Sequence, residues 1–206
     1  MLAHYVHLVE KEQNSLQSGF TKGASPSHAA VMITEAILEA KEQGKPLYMA
    51  SLDAQKAFDV VDHASLLTKL YNIGIPPTWW ILKDVSYSNM SSCVKWQQSV
   101  SDTFPVFQGV RQGGICSSDD YKMFINPMLQ LLEESGLGTF IGDIYCGTPT
   151  CADDVVLLSN SALTLSSMLQ IAETYAVKER YNIHPIKTEI LVFNSLIPTE
   201  TWNQSN

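Results

Sequence analysis

Apolar side chains recur along this chain at two spacings, and each change of spacing marks an element boundary. Ala29, Ile33, Ala36, Ile37 and Ala40 keep the three-to-four-residue rhythm of an amphipathic helix. Ser25-Pro26 supplies its start, with Pro in the first turn, and Gly44 its stop. A looser helical pattern runs from Met1 to about Glu12. Leu66, Leu67 and Leu70 predict a helix from about Asp62 to Gly74, and Ile75-Pro76-Pro77 opens another that carries Trp79, Trp80, Ile81 and Leu82 and ends before Ser91. Phe124, Met128, Leu131 and Leu132 face inward on a helix from about Ser117 to Glu134. Leu165, Met168, Leu169, Ala172 and Tyr175 stripe a last one, capped by Asn160 or Ser161 and reaching about Arg180.

Between the helices the pattern changes to that of strands. Leu47 to Leu52 and Val155 to Leu158 are short apolar runs of the kind that buried strands show, and Lys187 to Phe193 alternates like an edge strand. Ser92–Trp96 and Ser101–Phe107 read as a hairpin through Gln97-Gln98, and Thr139–Tyr145 as a single strand. Asn14–Gly23 and Gln108–Gly114 are polar or Gly-rich loops. The expected fold class is α+β: a mostly antiparallel sheet with helices packed on one face.

Two of the strands end in acid. Asp53 closes the first, and Asp153-Asp154 stands in a turn directly before the Val155 run. Unpaired charge is costly to bury, so these side chains belong at strand mouths, within reach of water, metal or phosphate. An ordinary Asp-Asp turn is one explanation; an oxygen-ligand Mg²⁺ site built from two neighbouring strand ends is the other.

Composition narrows the classes without choosing among them. With 206 residues, 45 % hydrophobic and 17 % charged, the chain is expected to be globular and to fill one large core or two small ones. No apolar run approaches the roughly 20 residues of a membrane span, so no membrane partner is expected. Cys93, Cys116, Cys146 and Cys151 show no C-x-x-C spacing, which fits reduced thiols and an intracellular address, nucleus or cytoplasm being unresolved. Thirteen basic against 21 acidic residues give a net charge of −8, so any grip on nucleic acid must be local or come through metal.

Three stretches taken together change the picture. Ser51-Leu52-Asp53-Ala54-Gln55-Lys56-Ala57-Phe58-Asp59-Val60-Val61-Asp62-His63, then Gly109-Val110-Arg111-Gln112-Gly113-Gly114, then Ala152-Asp153-Asp154 resemble, in order and spacing, the successive palm motifs of a reverse transcriptase from a non-LTR (LINE-type) retrotransposon. Gln17-Ser18-Gly19-Phe20 and Lys187-Thr188-Glu189 match flanking blocks, so the resemblance covers about residues 14 to 194. It implies a polymerase-type palm over 47–194, a partial fingers segment over 1–46 and a frayed end over 195–206. It also implies an RNA-directed DNA polymerase that uses dNTPs, a DNA primer and an RNA template with two Mg²⁺ ions, Mn²⁺ serving as a substitute. Asp53, Asp153 and the Ala54 carbonyl would hold metal, with Asp154 as the less directly coordinating acid. Phe58 would lie under the sugar and exclude a 2′-hydroxyl. Gln112 and Gly113 would sit against the nascent base pair, and Lys187 would meet the departing pyrophosphate. His63, though part of the motif, reads as a helix-start residue.

The chain departs from that family at two places. Cys151 stands where the turn usually begins with an aromatic residue, and Cys116-Ser117-Ser118-Asp119-Asp120 replaces a Leu-Ser-Pro segment, which sets two acids beside the expected nucleic-acid groove. Earlier fingers motifs, a thumb and an endonuclease domain are expected to be missing. A co-opted palm acting as a binding or interaction module, and another Mg²⁺-dependent phosphotransferase such as a nucleotide cyclase, therefore stand beside the polymerase.

Overall fold

A computed structural model describes residues 2–111 and 113–194; the expected frayed end at 195–206 and Gln112 lie outside the described residues. In chain order the elements are α1 (Leu2–Glu12), α2 (Pro26–Glu42), β1 (Leu47–Asp53), α3 (His63–Asn72), α4 (Pro77–Ser88) and the two-residue strands β2 (Ser91–Ser92), β3 (Lys95–Trp96), β4 (Ser99–Val100) and β5 (Phe104–Pro105). There follow α5 (Ser117–Glu134), β6 (Phe140–Ile141), β7 (Ile144–Tyr145), β8 (Thr150–Cys151), β9 (Asp154–Ser159), α6 (Ala162–Lys178) and β10 (Glu189–Phe193). Local chemistry sets the helix starts. Asp62 caps α3 by accepting from Ser65 N–H at 2.8 Å, Ser161 caps α6, and Pro26 and Pro77 occupy first turns, where a missing N–H costs nothing.

The main sheet runs β10-β1-β9-β8 and is antiparallel throughout. Strand alternation divides its two faces. Ala50 and Leu52 of β1, with Val155 and Leu157 of β9, turn to the larger core, built with α3, α5 and α6 from residues such as Leu66, Phe124, Met128, Leu165 and Met168. Tyr5 and Val9 of α1 belong to the same core. Leu47 and Leu158 turn the other way, where Ala36 and Ala40 of α2 cover them with Met49 and Val156 alongside. Helices therefore lie on both faces: the α3, α5, α6 layer on one, and α2, from the segment that precedes β1, on the other. Each Leu so buried contributes about 1.5–3 kcal/mol. Among the described residues no helix is long and apolar enough to cross a membrane, and all four cysteines are free thiols.

Three details differ from the sequence pattern. Thr139–Tyr145 is not one strand but a tight hairpin, pairing Phe140 with Tyr145 and Ile141 with Ile144. Gly142 makes the reversal at φ 58°, a left-handed position that glycine holds without strain. The hairpin at 91–105 closes through Gln97-Gln98 as expected, but its ladder is broken into β2–β5 and β3–β4. Leu131 is 48 % exposed. The buried row of α5 centres on Tyr121, Ile125, Met128 and Leu132, and Leu131 stands at its margin.

Asp119 and Asp120 correct an expectation of more consequence. Each borders a groove, but neither presents free charge there. Asp120 is 1 % exposed and accepts from Tyr5 Oη at 2.5 Å, Tyr87 Oη at 2.7 Å and Lys83 Nζ at 2.5 Å. Asp119 pairs with the buried Lys122 at 2.9 Å. Both charges are neutralised inside the fold, as buried charges must be. Burial, and then the Asp120 charge, push the Tyr5 and Tyr87 phenols well above their ordinary range, so both remain donors.

Candidate active site

The β1–β9 ladder ends on acid. Its last register pair is Asp53 with Asp154, so strand alternation sets these two carboxylates side by side on one face, at cross-strand distance. Asp153 precedes them in the turn between β8 and β9, whose apex, Ala152, takes φ 60°. Asp153 opens onto the same cleft as Asp53. This cleft, of about 540 Å³, is lined by Asp53, Ala54, Lys56, Phe58, Asp153, His184 and Lys187, among others. Residues from three distant stretches thus converge.

Asp53 is held from below by its own backbone. Its carbonyl accepts from His184 N–H at 2.8 Å, and Gln55 N–H donates to the Asn182 carbonyl at 3.0 Å, so Ala54 faces Ile183 as a non-hydrogen-bonded pair. That pairing turns the Ala54 carbonyl away from residues 182–184, toward the side of the Asp153 turn. Lys187 Nζ lies 3.4 Å from Asp53 Oδ2. The pair is exposed enough to contribute little to stability, but it sets a cation beside the acids.

Asp154 is exposed and does not line the cleft. Its carboxyl is pushed up by partial burial and then by the Asp153 and Asp53 charges. Like charges gathered at a strand end are what a divalent cation relieves. Among the described residues no group of three or more His, Cys, Asp or Glu side chains is placed to hold a metal ion. Two carboxylates and a backbone carbonyl are nonetheless the hard oxygen set that suits Mg²⁺, which commonly takes one or two carboxylates and completes its shell with substrate phosphates and water.

Phe58 is half-buried, its ring stacked on Tyr121 at 4.9 Å and 15° and met edge-on by Phe20 at 6.2 Å. One face of the ring is thus fixed by a core residue while the residue still lines the cleft. Gly113 sits at φ 78° in open space and does not line the cleft. Gln112 lies outside the described residues. His63 is 6 % exposed, donates from Nε2 to the Gly109 carbonyl at 2.8 Å and packs on Tyr87, so it serves the fold.

Three residues near the site were not assigned roles from sequence. Lys56, three positions after Asp53 in a left-handed bend at φ 53°, brings a second cation to the cleft; a lysine between Asp53 and Asp59 was the available signal. His184 enters through the 182–184 pairing, for which the pattern gives no sign. Gln17 reaches the Asp153 turn from a polar loop.

Comparison with known proteins gives the family and the fold. The family described as "Reverse transcriptase (RNA-dependent DNA polymerase)" matches residues 2–204. A Transposon TX1 uncharacterized 149 kDa protein of Xenopus laevis is 30 % identical over 80 % of this chain and 13 % of its own length. The Pol polyprotein from the R2DM element of Drosophila melanogaster is 25 % identical over 74 % of this chain and 14 % of its own length. One from an R2 element of Nasonia vitripennis is 28 % identical over 82 % of this chain and 16 % of its own. The chain therefore spans well under a quarter of these relatives. In architecture it is similar to apo telomerase from Candida tropicalis, at a TM-score of 0.68 and 16 % identity over 94 % of this chain and 41 % of that one.

Proposed function

Since this chain belongs to the reverse transcriptase (RNA-dependent DNA polymerase) family, we propose that it forms the palm of a non-LTR retrotransposon polymerase and carries that enzyme's nucleotidyl-transfer site. One observation carries the reading: Asp53, Ala54, Phe58, Asp153 and Lys187, drawn from three separate stretches, line one cleft. Within it, 47–194 serves as palm and 1–46 as partial fingers. The reaction joins the primer 3′-hydroxyl to the α-phosphate of a dNTP, directed by an RNA template, and releases pyrophosphate.

Asp53, Asp153 and the Ala54 carbonyl would hold Mg²⁺, or Mn²⁺ in its place; bound there, the metal supplies Lewis-acid polarisation of phosphoryl oxygens and a more acidic 3′-hydroxyl. Asp154 adds negative potential from its place across the ladder from Asp53 without entering the cleft. Lys187, whose Nζ lies 3.4 Å from Asp53 Oδ2, is the cation that would offset charge on a leaving pyrophosphate. Phe58, backed by Tyr121, presents a rigid wall that a 2′-hydroxyl would strike, which selects deoxyribonucleotides. Gly113 leaves open space for a base pair to approach the backbone, and Gln112 beside it takes its role from the family motif. Such chemistry belongs inside the cell, in keeping with the free thiols. Family membership replaces the nucleotide-cyclase alternative.

The net charge of −8 favours a second reading, a palm kept as a binding or interaction module. Primer extension on an RNA template with dNTPs and Mg²⁺ or Mn²⁺ separates the two. The expected result is extension by the wild type that is lost in Asp153→Asn; no extension from either chain would favour the module.

A further inference from the structure

One side chain from outside the main sheet holds the turn that carries Asp153 and Asp154. Gln17 is 2 % exposed, and its amide closes a ring of two hydrogen bonds on a single residue. Nε2 donates to the Ala152 carbonyl at 3.0 Å, and Oε1 accepts from Ala152 N–H at 2.8 Å. The same Oε1 accepts from Gly19 N–H at 2.8 Å. A neighbouring strand would satisfy Ala152 in this way; here a side chain does it.

The residue so clamped is the left-handed one of its turn. Ala152 holds φ 60°, a conformation that costs a Cβ-bearing residue about 1–3 kcal/mol and persists where its surroundings over-determine it. Those surroundings are anchored at both ends. Ser18 N–H donates to the Thr150 carbonyl at 2.8 Å and Thr150 N–H to the Leu16 carbonyl at 3.0 Å, so residues 16–18 run as a parallel partner of β8. Beyond them Lys122, paired with Asp119, donates to the Phe20 carbonyl at 3.1 Å. Gly19 passes so close that a Cβ there would fall 2.0 Å from the Ala152 nitrogen. A buried glutamine finds partners in any fold. This one spends both ends of its amide on the residue directly before the acid.

We propose that Gln17 is a positioning residue of the polymerase site: by clamping both backbone polar groups of Ala152 it fixes the left-handed turn, and with it the direction in which Asp153 meets Asp53. This rests on the two-acid metal site of the preceding section. Removal of Gln17 is expected to loosen the metal site out of proportion to any loss of fold.

The test is Mn²⁺ titration of the 206-residue chain, labelled with ¹⁵N, with Gln17→Met, Gln17→Glu and Met168→Ala beside the wild type. Wild-type broadening should centre on Asp53, Ala54 and Asp153. Gln17→Met should bind Mn²⁺ about 10–100-fold more weakly, the range for loss of a group that orients a metal ligand, and its Ala152 amide should exchange faster. Gln17→Glu keeps the acceptor but loses the donor at neutral pH, so its affinity should fall between the two; it decides the matter if Gln17→Met does not fold. Met168→Ala opens the core under α6 without touching the turn and should lower the Tm while leaving Mn²⁺ affinity alone. Wild-type affinity and wild-type Ala152 exchange in a folded Gln17 variant would overturn the clamp, as would an equal loss of affinity in Met168→Ala. Absence of broadening in the wild type, with Ala152 exchange still dependent on Gln17, would instead overturn the two-acid metal site and the clamp's part in its chemistry.

Discussion

Asp154 stands across the β1–β9 ladder from Asp53, and its carboxyl is raised by partial burial and by two neighbouring charges. A carboxyl raised in the folded state favours the neutral form, so its contribution to stability is full below the unfolded value and is lost as pH rises through the folded one. Asp154→Asn keeps the neutral form at every pH. Its Tm at pH 7 should exceed the wild type's by no more than about 2 °C, since the group is exposed, and the gap should close as pH falls toward about 4. Thermal melts from pH 4 to 8 read both values; a variant less stable at pH 7 would mean that the carboxylate makes a favourable contact. Phe58 supports a second prediction at this scale. Phe58→Val removes the wall but leaves the acids, so ribonucleotide use relative to deoxyribonucleotide should rise about 10–100-fold in single-nucleotide incorporation, the range that clearing a group-sized space gives. The ring's stacking on Tyr121 at 4.9 Å adds a fall in Tm to the same variant. Unchanged selectivity would leave Phe58 a core residue only.

Helices α4 and α5 are joined by the buried Lys83–Asp120 pair, into which Tyr5 of α1 also donates. Removing one partner leaves an uncompensated charge, so Lys83→Met should cost about 3–5 kcal/mol in urea unfolding, whereas Lys83→Met with Asp120→Leu should recover most of it. A single variant as stable as the wild type would show that water reaches Asp120. This pair also marks how far the elements were legible. The helices over 26–42, 63–72 and 162–178 lay close to their sequence-expected bounds because each had an apolar stripe and a chemical start signal, and the pairing of the two acid-tipped strands was expected from their apolar runs, although the register partner of Asp53 is Asp154 and not the expected Asp153. Asp119 and Asp120 were misplaced because a pair of acids at a helix start looks solvated: Lys122 stands at i,i+3 from Asp119 on the same helix, but the Lys83 that buries Asp120 comes from α4, and no one-dimensional pattern carries that contact. The 139–145 hairpin escaped for a related reason, since alternation continues through Gly142 while the chain reverses. At the site, the strand-end acids could be read, and the family motifs drew attention to Ala54, Phe58 and Lys187. The side-chain clamp from Gln17 could not, because it lies in a loop whose polarity hides the burial of its amide.

On the scale of the whole molecule, the proposed function requires a chain of net charge −8 to hold a polyanion. The fold makes the shortage sharper: of 13 basic residues, Lys69, Lys83 and Lys122 are taken up in buried ion pairs with Glu179, Asp120 and Asp119. Lys56 and Lys187 stand in the cleft, and Arg111 lines the neighbouring groove beside Lys83. Each phosphate neutralised releases counterion, so binding that uses two or three cations should weaken with salt at a log–log slope of about −2 to −3. Between 50 and 200 mM KCl that is a loss of about 15–65-fold, against the about 10³–10⁵-fold of a protein making six to ten phosphate contacts. Fluorescence anisotropy of a labelled DNA primer on an RNA template, titrated over this range without divalent metal, measures the slope. A slope near −6 or steeper would mean a basic surface larger than these three residues supply. The shallow slope would leave metal at the Asp53–Asp153 end of the sheet as the main electrostatic contact with the triphosphate. Repeating the titration with Mg²⁺ and a dNTP should then tighten binding in the wild type and leave Asp153→Asn unchanged, which ties the grip of the whole molecule to two strand-end acids.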